Sequence, residues 1–466
     1  MLTSADARRG HRLAAAWLEG AGERDSFVLA GHYERSDLPA RALPWLVRAA
    51  EQALRANAFA DVQRVADRAL AIGASGAVKG EILALRAEAY RWSADTGLSA
   101  DAASAALALL PRGSSRWLEA VRTAGHTASF GGLRETLPLI ADDILHVPIG
   151  DDAQRAYVIA AAQVAMAAIL SGMREVGFRI LERVESLGKG TFDDDPGAMA
   201  RVLQASAMRA YDSGDYEQFL RDNIAMTRCH ERVGDQRSLI SQRINGAFAL
   251  VMLGAFEEAL AIFEEARAEC NRLGLVSASL IAHQNAGYAL YCLGDFSAAA
   301  VIQREVVALA VGRSAPRIST LARRCLGLIA LEQGDATLAA NEARIAVETS
   351  PDGPIRMAAL AVLSDAELAR GDAAAARAYA SEALEALERS RGSAFVGDLS
   401  VRSAWAAVLA SEGDHAGARA AIAKARVIVD ERAARMTDAH RGKFLTRVPE
   451  VVRVMRLSRV DGIDGG

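Results

Sequence analysis

The chain has 466 residues, a net charge of −4, 51% hydrophobic but only 5% aromatic residues, and 10 prolines. A compact reading of that length expects about three domains of roughly 150 residues each, whereas a repeat array evades the count because each unit packs on its neighbours alone. The charge argues against a general nucleic-acid or anionic-membrane binder, which shows a concentrated basic stripe, and no stretch approaches the roughly 18 apolar residues needed to span a bilayer.

Small apolar side chains, above all Ala, must carry the packing, and Ala favours helix and close helix approach. Of the 54 basic residues four are Lys (79, 189, 424 and 443), which leaves 50 Arg. With the Ala and Gly excess, this reads as GC-rich coding bias before any Arg-specific chemistry. Cys229, Cys270, Cys292 and Cys325 have no CxxC spacing and fit a reduced compartment. Charges at Asp6, Arg8, Arg9 and Arg12 interrupt every early apolar run, against a signal peptide. The expected location is cytoplasmic.

In chain order, Leu13, Ala16, Trp17 and Leu18 begin an amphipathic helix closed by Gly20 and Gly22. Phe27 to Tyr33 form a second short helix, and Ser36 to Pro39 a turn. Ala42, Leu43, Leu46, Ala49, Ala50, Ala53 and Leu54 fall at helical spacing in a third, and Asn57 to Phe59 turn into a helix ending at Ile72. Turn signals then recur at Asp95–Gly97, Gly131-Gly132, Gly172, Gly214, Gly254, Gly294, Gly334, Gly371 and Gly413. From Gly132 onward their intervals are 40, 42, 40, 40, 40, 37 and 42 residues. Glycine supplies the left-handed stop of one helix. The Asp that follows at five of these turns can cap the next. Looser breaks at Gly188–Pro196, Gly312–Pro316 and Ser350–Pro354 hand one unit to the next, and none has linker length.

The densest repeat runs from Ser238 to Arg313. Asn245, Phe248, Ala249, Leu250, Leu253, Gly254, Phe256 and Ala259 return 40 residues later as Asn285, Tyr288, Ala289, Leu290, Leu293, Gly294, Phe296 and Ala299. The organisation expected is 1–72, N-terminal helices and first units; 73–195, divergent repeats; 196–434, regular repeats; and 435–466, a C-terminal cap helix and a frayed tail from Asp461.

These repeats resemble tetratricopeptide repeats (TPRs). Ala247, Gly254, Phe256, Ala259, Phe263 and Ala266 match the pattern closely. Gly287, Gly294, Phe296 and Ala299 match it in the next unit, but Gln303 and Val306 stand where an aromatic and an Ala are usual. The interval of about 40 exceeds the usual 34 and implies longer helices. The resemblance implies an all-α, right-handed superhelical α-solenoid of about 10 TPR-like helix-turn-helix repeats. His11–Leu70 looks like the segment that follows the NTPase domain in bacterial regulators: STAND (AAA-type) ATPases, serine/threonine kinase–ATPase fusions, adenylate-cyclase fusions and LuxR-type activators. KFLTRVPEVVRVMRL (Lys443–Leu457) resembles the FLxxVPENxRxxxL ending of the same proteins, with Val451 and Val452 departing from its polar pair.

No catalytic motif accompanies this. Gly73–Lys79 places Val78 where a phosphate loop needs its second Gly, and Gly188-Lys189 has Arg183 at the upstream Gly. Kinase signatures and GxSxG are lacking. The eight histidines form no HExxH, and Asp193–Asp195 lacks the alternating ligands of a calcium loop. We expect no catalytic residue, no cofactor and no metal.

In TPRs one face of each first helix lines a concave groove. That implies Ile244, Phe248, Val251 and Met252; Gln284, Tyr288, Tyr291 and Cys292; and Arg324, Leu328, Leu331 and Glu332. The expected binding residues are Phe248, Met252, Gln284, Tyr288, Tyr291, Arg324, Leu328 and Glu332; burial of this strip against neighbouring units is the competing reading. Tyr and Arg suit binding hot spots. The lysines of a carboxylate clamp are missing, against recognition of an acidic C-terminus. The expected function is a non-catalytic scaffold or sensor for a protein or peptide partner, including an ATPase or kinase module in cis or trans, with no nucleic acid or membrane. Two alternatives stay open: the tail of a serine/threonine kinase or ATPase whose motor is encoded upstream, and a small-molecule-sensing TPR domain.

Overall fold

The computed structural model describes residues 3–129, 135–188, 191–313, 315–350, 353–389 and 397–460. The expected Gly131-Gly132 turn, Lys189 and Gly190 of the Gly188–Pro196 break and the tail expected to fray from Asp461 lie outside them. The chain is 84% helical, and no strand occurs among the described residues. It divides into two compact units, residues 1–128 with 132–164, and residues 129–131 with 165–466.

The first unit holds α1 (Ser4–Gly20), α2 (Ser26–Glu34), α3 (Leu43–Arg55), α4 (Phe59–Ala71), α5 (Gly76–Trp92), α6 (Thr96–Leu109), most of α7 (Ser115–Ser129), α8 (Leu137–His146) and the start of α9 (Gln154–Leu170). Two sequence expectations need correction here. On α1 the face of Leu13 and Trp17 is turned to solvent, and Ala15 is the buried residue. A polar strip on that helix meets α2 instead: Tyr33 donates its hydroxyl to Glu19 at 2.6 Å, and His11 and His32 meet through their Nδ1 atoms at 3.2 Å. Before α6 the left-handed residue is Ala94, with φ +63°, while Thr96 and Gly97 already begin the helix.

The second unit continues through α10 (Arg174–Gly188) into six helical hairpins. They are α11 (Pro196–Ser213) with α12 (Tyr216–Arg232), α13 (Gln236–Met252) with α14 (Phe256–Arg272), α15 (Val276–Leu293) with α16 (Phe296–Val311), α17 (Pro316–Glu332) with α18 (Ala336–Thr349), α19 (Pro354–Ala369) with α20 (Ala373–Arg389), and α21 (Asp398–Ser411) with α22 (His415–Ala433). Two further helices, α23 (Asp438–Arg447) and α24 (Pro449–Val460), follow.

The tight turns form as their residues dictate. Gly214, Gly254, Gly294, Gly334, Gly371 and Gly413 all take positive φ. Asp215, Asp295, Asp335, Asp372 and Asp414 then accept a backbone amide three residues on, at 2.8–3.0 Å, which satisfies an orphan donor of the next helix. Between hairpins, Asp195 caps α11 through Ala198 N, with Pro196 at its first position. Small and aromatic residues fill the seams: Phe256, Ala259, Phe263, Ala266 and Cys270 are all fully buried. Gln303, at the aromatic position of α16, is equally buried and donates to the Gln284 carbonyl at 3.0 Å.

The second unit also returns on itself. Arg432, near the end of α22, pairs with Asp398 on α21, both under 7% exposed, and lies over the Tyr216 ring at 5.8 Å. Arg435 donates to the Ser213 carbonyl at 3.0 Å. The last hairpin thereby touches the α11–α12 turn. Elsewhere, the backbone at Gly353 stands so near α9 that a Cβ there would lie 3.2 Å from the Leu170 carbonyl.

The two final helices complete this closure. Thr437 donates its amide and hydroxyl to Glu217 at 2.7 and 2.6 Å, and His440 meets the same oxygen at 2.9 Å. Phe444 is buried near Tyr216, with ring centroids 6.4 Å apart. Arg447 donates twice to Glu257, at 2.9 and 2.5 Å, and these bonds hold the carboxyl down to about 2. α24 crosses to the inner helices: Glu450 accepts from Ser400 at 3.0 Å, and Arg453 pairs with Asp365 on α19.

Gly254 separates turn geometry from tail contact. A Cβ at Gly294 would meet open space, while one at Gly254 would lie 2.7 Å from the Lys443 carbonyl. Gly294→Ala should therefore cost only the left-handed backbone penalty, about 1–2 kcal/mol. Gly254→Ala should cost measurably more, and deletion of residues 436–466 should abolish the difference in denaturant melts.

Candidate functional site

The structure gathers most of the expected groove residues on the inner helices of the second unit. Tyr288 and Tyr291 stack with centroids 5.9 Å apart, and Arg324 lies over the Tyr288 ring at 5.5 Å. Gln284, Tyr291 and Arg324 are buried; Phe248, Met252, Tyr288 and Leu328 are half-buried; Glu332 is exposed. Phe248 turns towards α11, edge-on to Tyr211 at 6.0 Å. Over this wall lies the chain's own tail, with Glu450 Oε1 4.0 Å from Arg324 Nη1. Burial raises the hydroxyls of Tyr211, Tyr288 and Tyr291 far above the usual phenol range, so all three are neutral donors at physiological pH.

A second inner wall, which the sequence reading did not single out, stands uncovered in the first unit. The helices α3, α5, α7 and α9 present one face each to a groove of about 310 Å³. Four carboxylates (Glu51, Glu81, Glu88 and Glu119) and four guanidiniums (Arg55, Arg116, Arg122 and Arg155) line it, with Leu54, Leu85 and Ile159 between them. Arg116 organises the near side: it reaches Glu51 at 2.5 Å, Glu119 at 3.0 Å and Glu81 at 3.7 Å. Burial works against its charge, but these carboxylates outweigh it and hold the guanidinium protonated.

Glu88 anchors the floor. It is 5% exposed and accepts from Arg91, Trp92 Nε1 and Thr123 Oγ1 at 2.6–2.9 Å, with Arg122 at 3.2 Å. A buried carboxylate with every lone pair used is a fixed fitting. Glu81 and Arg55 are looser. Glu81 has a single long contact and Arg55 no hydrogen bond or ion pair among the described residues, so both are available to a ligand.

No protein-family model and no curated protein matches the chain. Solved structures do. A Rap protein complexed with competence and sporulation factor superposes with a TM-score of 0.50 at 10% identity, over 75% of this chain and all of that one. A Rap regulator of plasmid conjugation, solved with a peptide, gives 0.47 at 12% identity over 75% and 98%. A signal-transduction ATPase with a tetratricopeptide-repeat sensor from Pyrococcus horikoshii gives 0.44 at 15% identity, over 78% of this chain and 55% of that one.

The fold is a TPR-like α-solenoid. Its TPR-like repeats supply the two walls, because the first helix of each hairpin repeats the same inward face. No helix of the described residues is long and apolar enough to cross a membrane.

Proposed function

We propose that the chain is a non-catalytic TPR-like scaffold or sensor that binds a protein or peptide partner in the uncovered groove of its first unit. One observation carries the reading: the inner wall of the first unit is open and charged, whereas the tail covers that of the second. The groove's equal numbers of carboxylates and guanidiniums suit a peptide carrying both signs, since complementary charge fixes register and excludes wrong partners. The similar Rap protein was itself solved with competence and sporulation factor, which supports a binding role. The resemblance of His11–Leu70 and Lys443–Leu457 to regulator segments supports a role as the interaction arm of a bacterial signalling ATPase or kinase.

A random peptide library selected on the purified chain tests the reading. Selected peptides should bind in titration calorimetry, and the charge reversals Glu81→Lys and Arg55→Glu should each weaken them at least ~10-fold, or about 1.4 kcal/mol. Peptides indifferent to both reversals would remove the first-unit groove from the proposal. ATP turnover by the purified chain would overturn the non-catalytic reading.

A further inference from the structure

Among the described residues, the interior of the second unit holds buried donors that no acceptor engages. Four guanidiniums face it, from Arg317 and Arg324 on α17, Arg432 on α22 and Arg453 on α24. Asp398 answers Arg432, and Asp365 answers Arg453. Two further carboxylates are near: Glu450 is engaged by Ser400 at 3.0 Å and stands 4.0 Å from Arg324, and Glu332 acts on Arg453 and Tyr291. Arg324 is only 6% exposed, and its Nε and Nη1 make no hydrogen bond. Arg317 has no hydrogen bond or ion pair among the described residues, and burial pushes its guanidinium down to about 10. A buried donor left without an acceptor is costly, and a structure keeps one only where something answers it.

These groups share one strip. Residues 317, 320 and 324 lie at i, i+3 and i+7 on α17, one face of a helix about two turns long. Thr320, between the two arginines, is fully buried with a hydroxyl that makes no hydrogen bond. The strip faces space as well as protein. Tyr288, Cys292, Arg317 and Arg453 keep solvent-accessible surface.

We propose that this strip binds a small anion bearing a carboxylate or phosphate group, held by the free N–H groups of Arg324 and by Arg317. Guanidiniums present forked donors to either oxyanion, and the neutral hydroxyl of Tyr288 adds a further donor. The site lies wholly in the second unit and is independent of the first-unit groove.

The test uses the full chain in thermal melts with sodium phosphate or sodium succinate at about 10 mM, each against sodium chloride at equal ionic strength. One arm should raise Tm by about 3 °C, and which arm does so identifies the group recognised. Arg317→Met should abolish that rise while leaving the ligand-free Tm unchanged or higher, because an unanswered charge has been removed. Arg324→Met should also abolish the rise, at a lower ligand-free Tm because Glu450 loses its partner; where it fails to fold, Arg317→Met alone decides. Three results would overturn the proposal: no rise beyond chloride in either arm, a rise that persists in Arg317→Met, or a ligand-free Arg317→Met less stable than the parent.

Discussion

Asp398→Ala is expected to destabilise the second unit by about 3–5 kcal/mol, the usual effect of removing one partner from a buried ion pair. Both partners of the Asp398–Arg432 pair are nearly inaccessible, and Arg432 also spans the contact between α22 and Tyr216. Losing the carboxylate strands a guanidinium where the last hairpin meets the first. The effect should be largely repaired by adding Arg432→Met, since two apolar groups in place of a buried pair are often tolerated. Urea denaturation of the two single variants and the double variant measures the coupling. An additive result would mean that the pair does not hold this contact.

Phe444→Ala should cost a similar amount, about 3–5 kcal/mol, but should show it differently. Phe444 is 1% exposed and is the large apolar anchor of α23, beside Tyr216. Of the surrounding polar contacts, Arg447 on Glu257 is exposed, where such a pair contributes little, while Thr437 and His440 answer the buried Glu217. Without the ring, residues 438–460 should exchange amide hydrogen rapidly while the six hairpins stay protected. Val452→Ala, on the exposed side of α24, is the control and should change protection little.

Much of the fold was legible because one local rule repeats. A glycine forced into left-handed backbone and an Asp placed to cap the next helix leave their marks in any single sequence, and Gly214-Asp215, Gly294-Asp295 and Gly413-Asp414 form as the sequence implies. Asp95–Gly97 misled because Ala94 carries the positive φ there, a rarer choice that composition does not reveal. On α1, the apolar spacing of Leu13 and Trp17 suggested a buried face. The partner helix is short, however, and engages the Glu19 edge through Tyr33.

The site was less legible. Inner-wall positions could be assigned from the repeat register, but Glu450, which covers Arg324, lies 126 positions away, and no local pattern connects Glu217 to Thr437. The charged groove of the first unit did leave a signal, in Glu81 and Glu88 on α5 and Arg116, Glu119 and Arg122 on α7 at helical spacing. Reading the arginine excess as coding bias hid it.

The bond between Glu217 and Thr437 has a consequence in time. The two residues are separated by 220 positions, and synthesis at about 5–20 residues per second puts roughly 10–45 s between them. During that interval α11 and α12 exist without their final neighbours, and Tyr216 stands bare. Repeat arrays ordinarily grow by adding each hairpin to the one before. In this chain the first hairpins of the second unit stay unfinished until the last helices leave the ribosome, so a stalled or prematurely ended chain presents a sticky edge that chaperones and proteases can recognise.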